Sequence, residues 1–374
     1  MRTLLMAVLL VVLCACAQRG HSDGPDLAGG SAPGWTKVTG SPLSERDGPV
    51  IAYVGGDVVL VGGYAGPACP PSASCAKVAE PERDGAAYST RTGAWRSIAA
   101  APRPVPEWAA SAVAGQRLYV LVDRDLLVWN SRDDSWRTMA VPGPESASAL
   151  VVDGTRLVLP SGSDEHGGQP DLVLDTVTGE WSRLPANPLV PSFDRTITAT
   201  SAGLVLTGLP MNAHGDPEDP ALAHAAVLAR GAHSWRELPA GDQLGTGPWT
   251  WTGTRMVDPT LGGGDGGEIN NYGRTIPYGG RLDPTSGAWT PLLNAPGARS
   301  GGWPVTALAG PMIASSGWLY EDATGTWTRL PRPHDAPGEP GPATWTAAGL
   351  VVYGGGTWHG ETYDRSSMLW LFVS

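Results

Sequence analysis

The chain has 374 residues, a formal net charge of −11 and a pI near 5.0. A field of that sign repels nucleic acid and anionic surfaces, and no basic run offsets it, so nucleic acid is excluded as a partner. Glycine and proline, 51 and 35 residues, approach the level of disordered chains, but the glycines punctuate apolar runs at regular places and read as turns.

At the N-terminus Arg2 precedes an apolar run, Leu4 to Leu13, too short to span a bilayer as a helix. It ends in Leu13-Cys14-Ala15-Cys16, which resembles the lipobox of bacterial lipoproteins, with Leu13 at −3, Ala15 at −1 and Cys16 as the lipidated residue. The resemblance implies a signal peptide over residues 1–15 and a diacylglycerol anchor on Cys16. The body would then sit on the extracytoplasmic face of the cell membrane, behind a flexible tether over residues 16–33. Cys14 at −2 departs from the usual pattern, and an ordinary secretory signal is the alternative. Cys69 and Cys75 share one loop rich in proline and serine; outside the cytoplasm such a pair is expected to form a disulfide.

From residue 34 onward seven tryptophans recur: Trp35, Trp95, Trp136, Trp181, Trp235, Trp289 and Trp327. Each copy repeats one order of signals. A strand ends in a glycine turn, as at Ala112–Gly115 and Val151–Gly154. A second apolar strand follows at once, as at Val58–Val61, Leu118–Leu121 and Leu350–Tyr353. A variable loop leads to a third strand, whose apolar residue lies seven before the tryptophan: Tyr88, Trp129, Leu174, Leu228, Leu282 and Tyr320. Short β-branched or aromatic runs bounded by turn residues are strands, and a unit repeated at this spacing is one supersecondary element copied around an axis.

The glycine pairs Gly62-Gly63 and Gly354-Gly355, the aromatics of strand three and the tryptophans of strand four resemble the repeats of kelch proteins, the family of the galactose oxidase central domain. The resemblance covers residues 34–374 and implies an all-β fold, a kelch-like β-propeller of four-stranded blades. Blades two to four lack the glycine pair. The residue two before each tryptophan is expected at positive φ in the last hairpin; it is glycine in four copies, and Asp134 and His233 in two others, residue types that tolerate that region. The C-terminal segment holds three strands, Trp345–Ala348, Leu350–Tyr353 and Met368–Val373, and lacks a fourth. Gly34–Val38 is a tryptophan strand with no blade before it. It is therefore expected to complete the last blade, giving seven; six or eight are the alternatives.

The variable loops fall on one face with the links between blades, and a site on a rigid scaffold belongs on such loops. The starts of the innermost strands would ring the channel mouth there with Arg46, Glu107, Trp108, Glu145, Phe193, Asp194, Arg195, Trp249, Arg299 and Trp303. The seventh loop adds Trp358, His359 and Glu361. Aromatic faces beside carboxylates and guanidinium groups suit a sugar. The competing reading is that these tryptophans wedge blades and that the arginines are structural.

Other motifs point less far. The Gly262–Gly267 run contains G-x-G-x-x-G but lacks the βαβ context of a dinucleotide site. With Glu268, Asn270 and Asn271 the loop over residues 262–273 could offer oxygen ligands to calcium, without EF-hand spacing. His214, Asp216, Glu218, Asp219 and His224 cluster in the fourth loop, where an acidic solvated loop is the simpler reading. No copper site of the galactose oxidase kind, nucleophile-elbow serine or Walker sequence is present, so no metal or cofactor is assigned. The expectation is a membrane-anchored binding protein that takes a carbohydrate, peptide or protein partner on its loop face. A propeller enzyme acting on glycans (hydrolase, lyase or epimerase) and a structural interaction protein of the envelope are the alternatives.

Overall fold

The computed structural model describes residues 34–373 apart from 72, 144–148, 162–169, 190, 212–220, 246, 262–275 and 298–301. Contacts divide the chain after Ala32, and every described residue belongs to the second unit, Pro33–Ser374. The segments expected to be a signal peptide and a tether, with Cys16, lie outside the described residues, as do Glu145, Arg299 and the loop over residues 262–273. Among the described residues there is no helix, and so none long and apolar enough to cross a membrane.

The fold is all-β and propeller-like, built from successive antiparallel sheets. In chain order the first sheet comprises Val50–Val54, Asp57–Val61, Gly85–Ser89 and Ala94–Ile98, and the second Ser111–Ala114, Arg117–Val122, Asp125–Asn130 and Ser135–Ala140. The third comprises Val151–Asp153, Arg156–Leu159, Leu172–Asp175 and Trp181–Arg183, and the fourth Ser192–Thr200, Gly203–Pro210, His224–Ala229 and Arg236–Glu237. The fifth comprises Thr250–Trp251, Met256–Asp258, Gly280–Asp283 and Ala288–Thr290. The sixth has three strands, Ile313–Ser315, Trp318–Glu321 and Thr326–Arg329, with a single bridge from Ala307 to Ala314 where a first strand would lie.

The seventh sheet orders Ala343–Thr346, Gly349–Tyr353, Leu369–Val373 and, outermost, Gly34–Val38. The N-terminal strand pairs antiparallel with the C-terminal one, Gly34 opposite Val373 and Val38 opposite Leu369. Between the second and third strands of this sheet the chain inserts a hairpin, Gly355–His359 and Thr362–Arg365, which joins Glu339–Pro340 in a small accessory sheet.

Alternation along each second strand explains its unbroken apolar run. Side chains of period two point to opposite faces, and here both faces are covered. In Val58–Val61, Val59 and Val61 pack toward Leu118 and Trp129 of the second sheet, whereas Val58 and Leu60 pack toward Val351 and Tyr353 of the seventh. The pattern continues around the chain. Tyr119 and Leu126 meet Leu157 and Leu174; Val158 and Val173 meet Leu204 and Leu228; Val205 and Val227 meet Met256 and Leu282. Val257 meets Ile313 and Tyr320, and Ala314 and Leu319 meet Val352 and Trp370. Each fully buried Val or Leu contributes about 1.5–3 kcal/mol relative to exposure.

The seven-residue spacing in the sequence is a hairpin register. Tyr88 lies directly opposite Trp95, Trp129 opposite Trp136, Leu174 opposite Trp181, Leu282 opposite Trp289, and Tyr320 opposite Trp327. The turn between them takes positive φ at Gly93, Asp134, Gly179, Gly287 and Gly325, as expected. His233 is a correction: it is not at positive φ. The fourth copy has a glycine two residues earlier, Gly231 at φ 77°, and the residue without a Cβ takes the conformation instead.

A second regularity was not visible in the spacing. The outer tryptophans donate their indole N–H to the backbone carbonyl four residues past the preceding tryptophan. Trp95 bonds Thr39, Trp136 bonds Ala99, Trp235 bonds Pro185, Trp289 bonds Pro239, Trp327 bonds Leu293 and Trp35 bonds Pro331, at 2.6–3.1 Å. Trp181 alone makes no such bond among the described residues.

Candidate functional site

The residues expected at the channel mouth separate into two groups. One serves the framework. Arg46 is buried and bonds Asp84, the Gly62 carbonyl and Ser44. Arg195 is buried and pairs with Asp171 at 2.9 Å while also donating to the carbonyl and hydroxyl of Ser161. Both aspartates stand immediately before the third strand of a sheet, so one device is used twice. Trp303 is 1% exposed, donates to the Pro337 carbonyl and meets Trp35 and Trp370 edge-on. Trp249 is buried against Trp289. Asp194 is exposed at φ 51°, in the irregular stretch where the register of the fourth sheet slips between Phe193 and Thr196.

The second group lies on the loops of the first, second and seventh sheets, with Trp108 and Glu107 joined to the hairpin of Trp358, His359 and Glu361 only through intervening residues. Trp108 is 65% exposed and sits at φ 59°. Its amide donates to the Gly48 carbonyl at 2.8 Å, and its ring lies over Gly48 itself. A Cβ on Gly48 would stand 2.8 Å from the Trp108 ring and from Glu107, so only glycine admits this packing. A bulky residue at positive φ is strained and needs surrounding structure to hold it.

Beside it Glu107 pairs with Lys77, and its second carboxylate oxygen is buried with no hydrogen-bond partner. Lys77 also lies over the Tyr64 ring at 5.5 Å. Lys77 lies two residues beyond the loop closed by the Cys69–Cys75 disulfide. Tyr64 exchanges backbone bonds with Asp47, and Asp47 accepts from Arg365 at 2.6 Å. Arg365 also donates to the Gly66 carbonyl at 2.8 Å and lies over the Tyr363 ring. The hydrogen bond to Asp47 pushes Arg365 further up from its ordinary value, and burial pushes the Tyr363 hydroxyl up, so both keep their protons at neutral pH.

Trp358 stacks on Tyr363 with ring centroids 4.6 Å apart. His359 and Glu361 are exposed at the tip of the same hairpin, with His359 3.6 Å from Asp364. The structure thus links the loop of the first sheet to Glu107, and the inserted hairpin to Asp47. Asp47, Tyr64, Lys77, Tyr363 and Arg365, which make those links, were not among the expected residues. Lys77 had a sequence signal, since it and Lys37 are the only lysines of the chain. Chemically the cluster offers an exposed indole face, an incompletely satisfied carboxylate and two cations.

No protein-family model and no curated protein matches the chain. Among solved structures it is similar to that of YjhT, at 14% identity over 67% of this chain and 85% of that one, with a TM-score of 0.42. A likeness at that score supports no conclusion about function.

Proposed function

We propose that this chain is a seven-bladed kelch-like β-propeller, its last blade completed by Gly34–Val38, and that it acts as a binding module for a carbohydrate on its loop face. Seven sheets packed in succession, with the seventh also packed on the first, support that blade count. In this reading Cys16 anchors the body to the extracytoplasmic face of a membrane.

Trp108 carries the functional reading. A tryptophan held at positive φ with most of its ring in solvent contributes little to the core and is fixed in direction, as a stacking platform must be. Sugar hydroxyls would find donors in Lys77, whose side chain is half exposed beside the ring.

A glycan array probed with the full chain and with Trp108→Ala tests this. The expected result is binding to a restricted set of glycans that falls at least tenfold in the variant. No binding to any glycan, or equal binding by a folded Trp108→Ala, would remove the proposal.

A further inference from the structure

We propose that the groove between the third and fourth sheets, remote in the sequence from the Trp108 cluster and independent of its function, binds a small ligand carrying an oxyanion on an apolar body. The groove has a volume of about 450 Å³, within the range of small-molecule sites. Its polar lining is Arg156, Arg183, His233 and Ser182, and its apolar lining includes Val173 and Leu184. Among the described residues no aspartate or glutamate lines it, in a protein whose net charge is −11.

The charged side chains of the lining are both guanidinium groups, and their surroundings differ. Asp153 is buried and faces two guanidinium groups, pairing with Arg156 and lying 3.4 Å from Arg230. Asp153 thus offsets the charge of Arg156, and the cation left at the rim of the groove is Arg183. Asp175, opposite Arg156 in the register, accepts from the amides of Val177 and Thr178. Arg183 is exposed at the end of its strand and makes no ion pair among the described residues. A guanidinium presents its donors as a planar fork that matches a carboxylate, sulfate or phosphate, and bidentate pairs of this kind are the strong ones. The apolar wall beneath gives the rest of the ligand a surface to cover.

Calorimetric titration of the full chain with benzoate, phenyl phosphate and the neutral benzamide tests the site. At least one of the two anions is expected to bind tenfold or more tightly than benzamide. Comparing the two anions tells carboxylate from phosphate as the preferred group. Arg183→Ala is expected to weaken that binding tenfold or more, Arg183→Lys to weaken it less, and Trp108→Ala to leave it unchanged. Three results would overturn the proposal: neither anion binding better than benzamide, wild-type binding by a folded Arg183→Ala/His233→Ala double variant, or loss of anion binding in Trp108→Ala.

Discussion

The indole N–H of Trp35 donates to the carbonyl of Pro331 at 2.6 Å, across a separation of 296 residues. Its ring also meets Trp303 at 5.3 Å and Phe372 at 5.1 Å. The same bond, at the same offset from the preceding tryptophan, recurs between sheets adjacent in the chain. The first tryptophan of the chain therefore behaves as the outer residue of the last sheet.

Trp35→Phe keeps an aromatic ring and removes the donor, so it is expected to cost about 0.5–1.5 kcal/mol. Trp35→Ala also removes the packing against Trp303 and Phe372 and is expected to cost about 3 kcal/mol, the lower end for core aromatics because the ring is only partly buried. Urea denaturation measures both; equal losses would show that ring packing contributes nothing there.

Asp171→Ala leaves Arg195 charged in a site where the pair is 1% and 2% exposed. Removing one partner of a buried ion pair costs about 3–5 kcal/mol. A fall in unfolding free energy of that size is expected from urea denaturation, and a loss under about 1 kcal/mol would mean that the remaining hydrogen bonds of Arg195, those to Ser161 among them, suffice to hold its charge.

Gly62 and Gly115 both adopt left-handed backbone, at φ 69° and 61°. An added Cβ at Gly115 meets nothing, whereas at Gly62 it would collide with the side chain and carbonyl of Val105. Gly115→Ala is expected to cost about 1–2 kcal/mol for conformation alone. Gly62→Ala adds overpacking of roughly 1–3 kcal/mol. The ranking of their melting temperatures checks this.

Acid sensitivity should come in two steps. Burial holds His224 below its ordinary value of 6.5, with the Glu237 charge opposing the shift. The unfolded chain therefore takes up that proton more readily, and this stability is present above pH 6.5 and lost as pH falls toward the depressed folded value. Asp175 and Asp283 are held below 3.8 by hydrogen bonds, from the amides of Thr178 and Val177 for Asp175 and from Ser286 and Thr285 for Asp283. Their contribution is present above 3.8 and disappears as pH falls through their folded values. Asp258, raised by burial, works in the opposite direction over its own range. His224→Gln should flatten the upper step of a stability–pH curve and leave the lower one; an unchanged upper step would rule His224 out as its source.

The fold was legible because the tryptophan and the residue seven before it are opposite members of one hairpin, a local relationship that sequence spacing records. The order of the seventh sheet was legible from a missing fourth strand and an orphan first one. A structural role for the arginines was one of the two readings open in the sequence, but their partners were not legible, because these depend on where Asp84 and Asp171 come to lie after loops of different length. For the same reason the meeting of Lys77 with Glu107, and of Arg365 with Asp47, left no periodic trace. Trp108 was legible as an aromatic beside a carboxylate, and its exposure was not, since exposure follows from the glycine beneath it.

Hydrogen exchange across Gly34–Val38 tests most directly whether the two chain ends share one sheet. The amides of that strand are expected to be protected to the same degree as those of Leu369–Val373 and to exchange with them in one cooperative event. Rapid exchange at residues 34–38 while residues 369–373 stay protected would contradict the account.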